Sequence, residues 1–255
     1  MKNLKDKLLL SIKYLFNLPV TLNHLEIKKD KDSTLQKILQ ENLYANYFHD
    51  SIKNSSWLKN QNFTPTKGAA NYSFLFTLFS ILENTNVANI LELGLGQTSK
   101  ITTQYINNKN TCANLTILEH NQDWVQTFSK NLVLSENIQI LTPKLCTTNI
   151  KGYSATKYEN ILPSESKYDL IIIDGPIGID QTYSRSNILD LVPNNLAKDF
   201  IIVFDDYERI GEQNTANLLF EKLNKNFINY QTSMQYGMKK QLIISSPSYQ
   251  YIHWI

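Results

Sequence analysis

Six short apolar runs, each separated from the next by a polar stretch, constrain this chain more than any other feature. They are ANILELG (88–94), NLTILEH (114–120), NIQILTP (137–143), YDLIIIDGP (168–176), DFIIVFDD (199–206) and KQLIISSP (240–247). Continuous β-branched runs, rather than alternating ones, mark strands covered on both faces, hence a parallel sheet. Parallel neighbours need crossover connections, and segments 97–107, 122–134, 182–192 and 212–225 have the length of crossover helices. The expected fold is α/β, a Rossmann-like doubly wound and mostly parallel sheet. Near the carboxy end, 227–232 and 240–246 are joined only by a short turn through Gly237, which demands an antiparallel hairpin.

Before residue 86 the pattern is helical, over roughly 4–16, 33–48 and 68–84. Tyr72, Leu75, Phe76, Phe79 and Leu82 follow the spacing that buries one helix face. The chain therefore divides into an N-terminal helical extension (1–66) and a Rossmann-like domain (67–255). Leu8, Leu9, Ile12, Leu15 and Phe16 predict an amphipathic first helix, suited to packing on its own domain or in a homodimer. Lys13 interrupts that apolar stretch and no small-residue cleavage site follows, which argues against a signal peptide. No stretch reaches the roughly 18 apolar residues of a membrane span, so a cytoplasmic protein without a transmembrane segment is expected. A net charge of +2 over 255 residues offers no electrostatic footprint for nucleic acid. Cys112 and Cys146 fit no metal spacing and read as buried free thiols. Residues 144–167 form an insertion with no clear period, and loops of that length commonly serve as lids or binding loops. Its Tyr153 and Tyr158 are candidates to shape an acceptor pocket, although surface tyrosines are equally common.

In doubly wound sheets, ligands bind beyond the carboxyl ends of the strands, where strand order reverses. The first run opens into Glu92-Leu93-Gly94-Leu95-Gly96-Gln97-Thr98-Ser99. Gly94 and Gly96 permit a tight turn and close approach of a ligand to the backbone. A G-x-G alone also fits an ordinary turn, and the third glycine of the dinucleotide fingerprint is Ser99 here. The second run adds Glu119, 25 residues after Gly94, where a carboxylate can accept both hydroxyl hydrogen bonds of a ribose.

With those pieces in hand, ILELGLGQTS, ILEHNQDW, YDLIIIDGP and the closing hairpin resemble class I S-adenosylmethionine-dependent methyltransferases over roughly residues 67–246. The resemblance implies an antiparallel seventh strand and S-adenosylmethionine as cofactor. It places Glu92, Gly94 and Gly96 at the methionine moiety and Glu119 at the ribose; Ser99, Gly68 and Asp174 are further cofactor-site candidates, as is Tyr72, although its helix is usually a packing element in that family. Dehydrogenases share the loop, but they need a substrate domain for which this chain leaves no room.

Asp174 ends the fourth run, and Asp205 and Asp206 end the fifth. Three carboxylates at neighbouring strand ends repel one another unless a hard cation neutralises them. DFIIVFDDY is similar to metal-dependent sugar O-methyltransferases of the macrocin type, which implies Asp174, Asp205 and Asp206 as Mg2+ ligands that fix an acceptor hydroxyl and lower its pKa. Against that, Asp174 can contact substrate directly while Asp205 caps a helix and Asp206 faces water. The sequence departs from the pattern at the general base: Pro176 stands where the sugar-modifying relatives carry a second acid, and Ile177 where catechol-type relatives carry a lysine. Asp174, Asp180 and Tyr183 are the catalytic candidates, with His49 more remote.

The chain has 23 lysines and two arginines, Arg185 and Arg209, which follow the fourth and fifth runs. Planar bidentate donors there suit a phosphate or carboxylate on the acceptor, with Tyr207 beside them. Pairing with Asp180, Glu208 or Glu212 to hold the loops is the equal alternative. The expectation is an O-methyltransferase acting on a sugar or a phosphorylated or nucleotide-linked sugar, as in surface polysaccharide biosynthesis. A metal-independent enzyme acting on nitrogen or on an anionic small molecule is second. A partner protein that kept only the fold is third.

Overall fold

The computed structural model describes residues 33–65, 68–159 and 165–254. The amphipathic helix expected over 4–16 lies outside the described residues. Residues 33–52 are helical (α1), and α2 spans Tyr72–Asn84. Then follow β1 (Asn89–Leu93), α3 (Ser99–Asn108), β2 (Asn114–Leu118), α4 (Gln122–Phe128), β3 (Ile138–Leu141), β4 (Leu145–Ile150) and β5 (Tyr153–Tyr158). The chain continues through β6 (Tyr168–Ile173), α5 (Asn187–Leu191), β7 (Leu196–Phe204), α6 (Ile210–Lys225), β8 (Gln231–Tyr236) and β9 (Lys240–Ser245).

Seven strands form one sheet in the order β3-β2-β1-β6-β7-β9-β8. The first five are mutually parallel, while β9 runs antiparallel to both β7 and β8. This is the expected Rossmann-like sheet closed by an antiparallel hairpin. Alternate residues of β1, β2, β6, β7 and β9 feed two cores. Ile90, Ile117, Leu170, Ile172, Ile201, Val203 and Ile243 join the layer that contains α2 and α3. Leu91, Leu118, Ile171, Ile173, Ile202, Phe204 and Ile244 join the layer against α5 and α6. A strand buried on both faces can carry no polar alternation, which is why its sequence reads as an unbroken apolar run. From the segment before β1, Phe48, Ile52, Trp57 and Leu58 are buried in the first of these cores.

Three expectations change. The 144–167 insertion is not an unstructured loop: its described part folds into the two-stranded hairpin β4–β5, with Ile150 paired to Tyr153 across Lys151-Gly152. Both turn residues have positive φ (48° and 91°), as a two-residue hairpin requires. The helix expected over 182–192 is only the five-residue α5, and the chain from Asp174 to Ser186 is irregular instead. Inside that segment Arg185 takes a left-handed φ of 55°, which an α-helix cannot carry, and regular helix begins only after it. The two cysteines are free, as expected, but neither is buried. Cys112 lies exposed in the turn after α3, and Cys146 sits half-exposed on the hairpin. No described helix is long and apolar enough to cross a membrane.

Candidate active site

The strand order reverses between β1 and β6, since β2 and β3 lie to one side and β6, β7 and β9 to the other. Backbone hydrogen bonds bring the carboxyl ends into line. Gly94 N–H donates to Leu118 O (2.9 Å), Asp174 N–H to Leu93 O (2.9 Å) and Asp205 N–H to Ile173 O (3.0 Å). At the crossing, Gly94 has φ +106°, and a Cβ there would stand 3.1 Å from the carbonyl carbon and oxygen of Asp174. Only glycine satisfies both conditions. Gly96 and Gly68 differ, because a side chain at either would meet nothing within 4 Å.

Glu92 is buried beneath this loop and does not face the cleft. Its Oε1 accepts from Thr98 Oγ1 (2.5 Å) and Ser99 Oγ (2.8 Å), and its Oε2 accepts from Thr102 Oγ1 (2.8 Å). Ser99 Oγ in turn accepts from the Gly96 N–H (3.0 Å). Burial raises the Glu92 pKa to about 7, although the three hydroxyls work against that rise. Glu92 and Ser99 thus brace the loop from within, and a direct contact of Glu92 with the methionine moiety would have to displace a hydroxyl. Glu119, at the end of β2, is turned toward the loop. Its Oε1 accepts from Asn121 N–H (2.8 Å) and lies 3.0 Å from His120 Nδ1, and Leu95 N–H is 3.4 Å from its Oε2. Beside it, Trp124 donates from Nε1 to Leu95 O (2.8 Å) while leaving much of its ring exposed.

Asp174, Asp205 and Asp206 converge as expected, with one oxygen from each within 4.8 Å of the others. Their partners were not legible in the sequence. Arg185, only 4% exposed, donates to Ile173 O (3.2 Å), Asp205 O (2.9 Å), Asp174 Oδ1 (3.2 Å) and Asp206 Oδ2. Lys239, from the β8–β9 turn, places Nζ 3.2 Å from Asp205 Oδ2 and 3.2 Å from Asp206 Oδ1. Arg209 NH1 adds a contact to Asp206 Oδ2 (2.9 Å). Buried Glu212 faces both arginines at 3.6–3.7 Å. Burial, then the charge of Asp205, lifts the Asp174 carboxyl well above the ordinary range. Asp206 goes the other way: burial opposes its charge, but Arg185, Lys239 and Arg209 together hold its pKa down.

This arrangement corrects two expectations. Arg185 is not free to bind a substrate anion, because its guanidinium is sealed among backbone carbonyls and carboxylates. The pairing alternative holds for Arg185, with Glu212 among its partners, and only Arg209, 37% exposed at its side chain, still offers a face to solvent. The carboxylates do not fit Mg2+ as they stand. Both Asp205 oxygens are taken, one by Lys239 and the other by Gln241 Nε2 (2.8 Å), and Asp206 Oδ2 already receives two arginines. The repulsion that called for a metal is answered by side-chain cations.

Backbone strain collects here. Asp180, Arg185 and Asp206 all adopt left-handed φ (62°, 55° and 57°), a cost that non-glycine residues sustain only where surroundings enforce it. Asp180 is exposed, and Tyr183 packs edge-on against Tyr153 of the inserted hairpin, with ring centroids 6.1 Å apart. No hydrogen bond or ion pair among the described residues joins either of them to the three aspartates. His49 lies exposed against Tyr72 on the α1 side (5.3 Å between rings). Tyr207 is half-buried in the core beneath α6. Tyr158, 1% exposed, has no hydrogen-bond partner for its hydroxyl, which lies 2.7 Å from where a Gly175 Cβ would stand.

No family model matches the chain, and no curated protein matches it. Among solved structures it is similar to a methyltransferase from Geobacter sulfurreducens (10% identity, 70% of this chain and 80% of that one, TM-score 0.49). It is also similar to an O-methyltransferase from Bacillus cereus in complex with SAH (17%, 84% and 91%, TM-score 0.43). A third is the N-methyltransferase NodS from Bradyrhizobium japonicum WM9 in complex with S-adenosyl-L-homocysteine (14%, 79% and 99%, TM-score 0.44). At such identities the chemistry has to be argued from the site itself.

Proposed function

We propose that this protein is an S-adenosylmethionine-dependent methyltransferase that acts on an oxygen of a small-molecule acceptor. The observation that carries this reading is the strand-end constellation. A tight glycine loop after β1 lies pressed against Asp174 at the switch point, with a loop-facing carboxylate, Glu119, at the end of β2. A carboxylate at that position accepts two vicinal ribose hydroxyls, and the open side of Gly96 leaves room for a ligand at the loop backbone. When bound, the cofactor supplies a methyl group on a sulfonium sulfur.

Asp174 is the member of the three-carboxylate cluster that abuts the glycine loop, and its side chain keeps 17% of its surface accessible. It is the candidate to accept the proton of an acceptor hydroxyl, which accounts for Pro176 and Ile177 in place of the bases expected nearby. Arg185 holds one Asp174 oxygen and so orients the carboxyl. Arg209, partly exposed above the same cluster, suits a phosphate or carboxylate on the acceptor. A sugar bearing such a group, as in polysaccharide assembly, is the acceptor class we favour, by the likeness of DFIIVFDDY to sugar-modifying enzymes. An acceptor that is already anionic would need no base, and a nitrogen acceptor is the second reading. Screening phosphorylated sugars and simple amines with labelled cofactor separates them: label on sugar oxygen supports the first reading, and label on amines alone rejects it. For a homodimer, the exposed α1 side chains Leu35, Leu39, Leu43 and Tyr47 are the surface we favour. Sedimentation of Leu39→Lys as a monomer beside a dimeric parent would support it, and a monomeric parent would reject it.

A further inference from the structure

Lys239 stands where a metal ion would otherwise be required. Three carboxylates with oxygens within 4.8 Å of one another repel strongly in a buried setting, and a chain that keeps them must supply positive charge. Lys239 Nζ is 3.2 Å from an oxygen of Asp205 and 3.2 Å from an oxygen of Asp206, with its side chain only 12% exposed. Burial works against its charge, yet Asp205, Asp174 and Asp206 hold the ammonium protonated far above the ordinary lysine range.

The surrounding structure places this lysine with unusual care. The β8–β9 turn is closed by Gly237 N–H donating to Lys239 O (2.9 Å) and is clamped by Met238 N–H donating to Glu41 Oε2 of α1 (2.9 Å). A Cβ at Gly237 would collide with Glu41 and Ser73, so the turn lies directly on the start of α2. One residue on, Lys240 N–H donates to Glu208 Oε2 (2.8 Å), and Lys240 O accepts from Tyr207 N–H (2.9 Å). Asp205 is held from its other side as well. Gln241 Nε2 donates to Asp205 Oδ1 (2.8 Å) and to Asn71 Oδ1 (3.1 Å), while Ser73 Oγ donates to Gln241 Oε1 (2.9 Å). These contacts spend the Asp205 oxygens on protein donors and leave a metal no ligand atom there without displacing Lys239.

We infer that Lys239 is the resident cation of this site, joining Asp205 to Asp206 as a divalent ion would, and that the site works without a metal. An ammonium differs from a metal ion in that it cannot be chelated, cannot be exchanged, and carries three N–H donors. One of those donors bonds Asp205 Oδ2, and Asp206 Oδ1 lies at ion-pair distance from the same ammonium. The inference concerns the cluster itself and does not depend on which reaction the protein performs.

Binding of Mn2+ by the full chain, followed from the loss of the free-ion paramagnetic signal, tests it without any activity assay. The parent protein should leave the signal unchanged, and Lys239→Ala should take up one ion per chain at least about tenfold more tightly, because the carboxylates lose their fixed charge. Asp205→Asn added to Lys239→Ala should abolish that uptake. Stoichiometric binding by the parent that Asp205→Asn removes would overturn the inference. So would a folded Lys239→Ala that takes up no ion, since the cluster would then not be a cation site at all. Should Lys239→Ala not fold, the parent titration decides alone: uptake at the cluster overturns the inference, and none upholds it.

Discussion

Replacing Glu92 by glutamine tests whether the loop that faces the cleft rests on a buried, desolvated acid. The folded protein raises the Glu92 pKa from 4.5 to about 7 because no water reaches the carboxylate. The native state therefore binds this proton more tightly than the unfolded chain does. Stability contributed by the proton is fully present below pH 4.5, falls as pH rises from there to about 7, and is level above that. At about 1.4 kcal/mol per unit, the displacement corresponds to roughly 3 kcal/mol, an order-of-magnitude figure. Glu92→Gln carries no charge and keeps the side-chain size, so its unfolding free energy should lack this slope. Urea unfolding of both proteins at pH 5 and pH 8 reads the difference directly. Relative to the parent, the glutamine variant should gain roughly 2.5 kcal/mol between the two values, since part of the loss is already complete at pH 5. Other buried acids titrate in both proteins and cancel in the comparison. A difference that does not change with pH would refute the reasoning, since Glu92 would then be ionised at no cost. Glu92→Ala should be less stable than Glu92→Gln at either pH, because Thr98, Ser99 and Thr102 each lose an acceptor.

Arg185→Lys should destabilise the fold by about 3–5 kcal/mol in urea titrations, because one ammonium cannot serve four acceptors and leaves buried carboxylates unpaired. Arg209→Lys, at the more exposed arginine, should cost little stability and raise the acceptor KM with cofactor affinity unchanged; a fall in cofactor affinity would instead mark it as a structural residue. Tyr158→Phe removes a buried hydroxyl that has no partner, so the unliganded variant should melt no lower than the parent in calorimetry. A clear fall in melting temperature would mean that the hydroxyl is satisfied after all.

The parallel sheet was legible because a strand buried on both faces leaves an unbroken run such as Leu170 to Ile173, with no polar residue to confuse the period. The carboxyl-end acids were legible for the same reason, since Asp174, Asp205 and Asp206 are the first polar residues after such runs. What balances them was not. Lys239 lies 33 residues beyond Asp206, and only the register Phe204↔Leu242 of the antiparallel pair carries its turn to the cluster. A lysine among 23 lysines gives no local signal. Arg185 was found as a rare residue but assigned outward, because its burial depends on a left-handed turn that nothing in Tyr183-Ser184-Arg185-Ser186 announces. The inserted hairpin did carry a signal, in threonines and tyrosines flanking Lys151-Gly152. β4 alternates only between exposed and half-exposed positions, so the hydrophobic period is weak.

The central claim is that the Gly94 loop and Glu119 hold the adenosyl cofactor. Calorimetric titration of S-adenosylhomocysteine into the parent and into Glu119→Ala tests it most directly. The account predicts one-to-one binding by the parent, weakened at least about tenfold in the variant, where the ribose hydroxyls lose a charged acceptor. No heat with the parent, or equal affinity in both proteins, would contradict it.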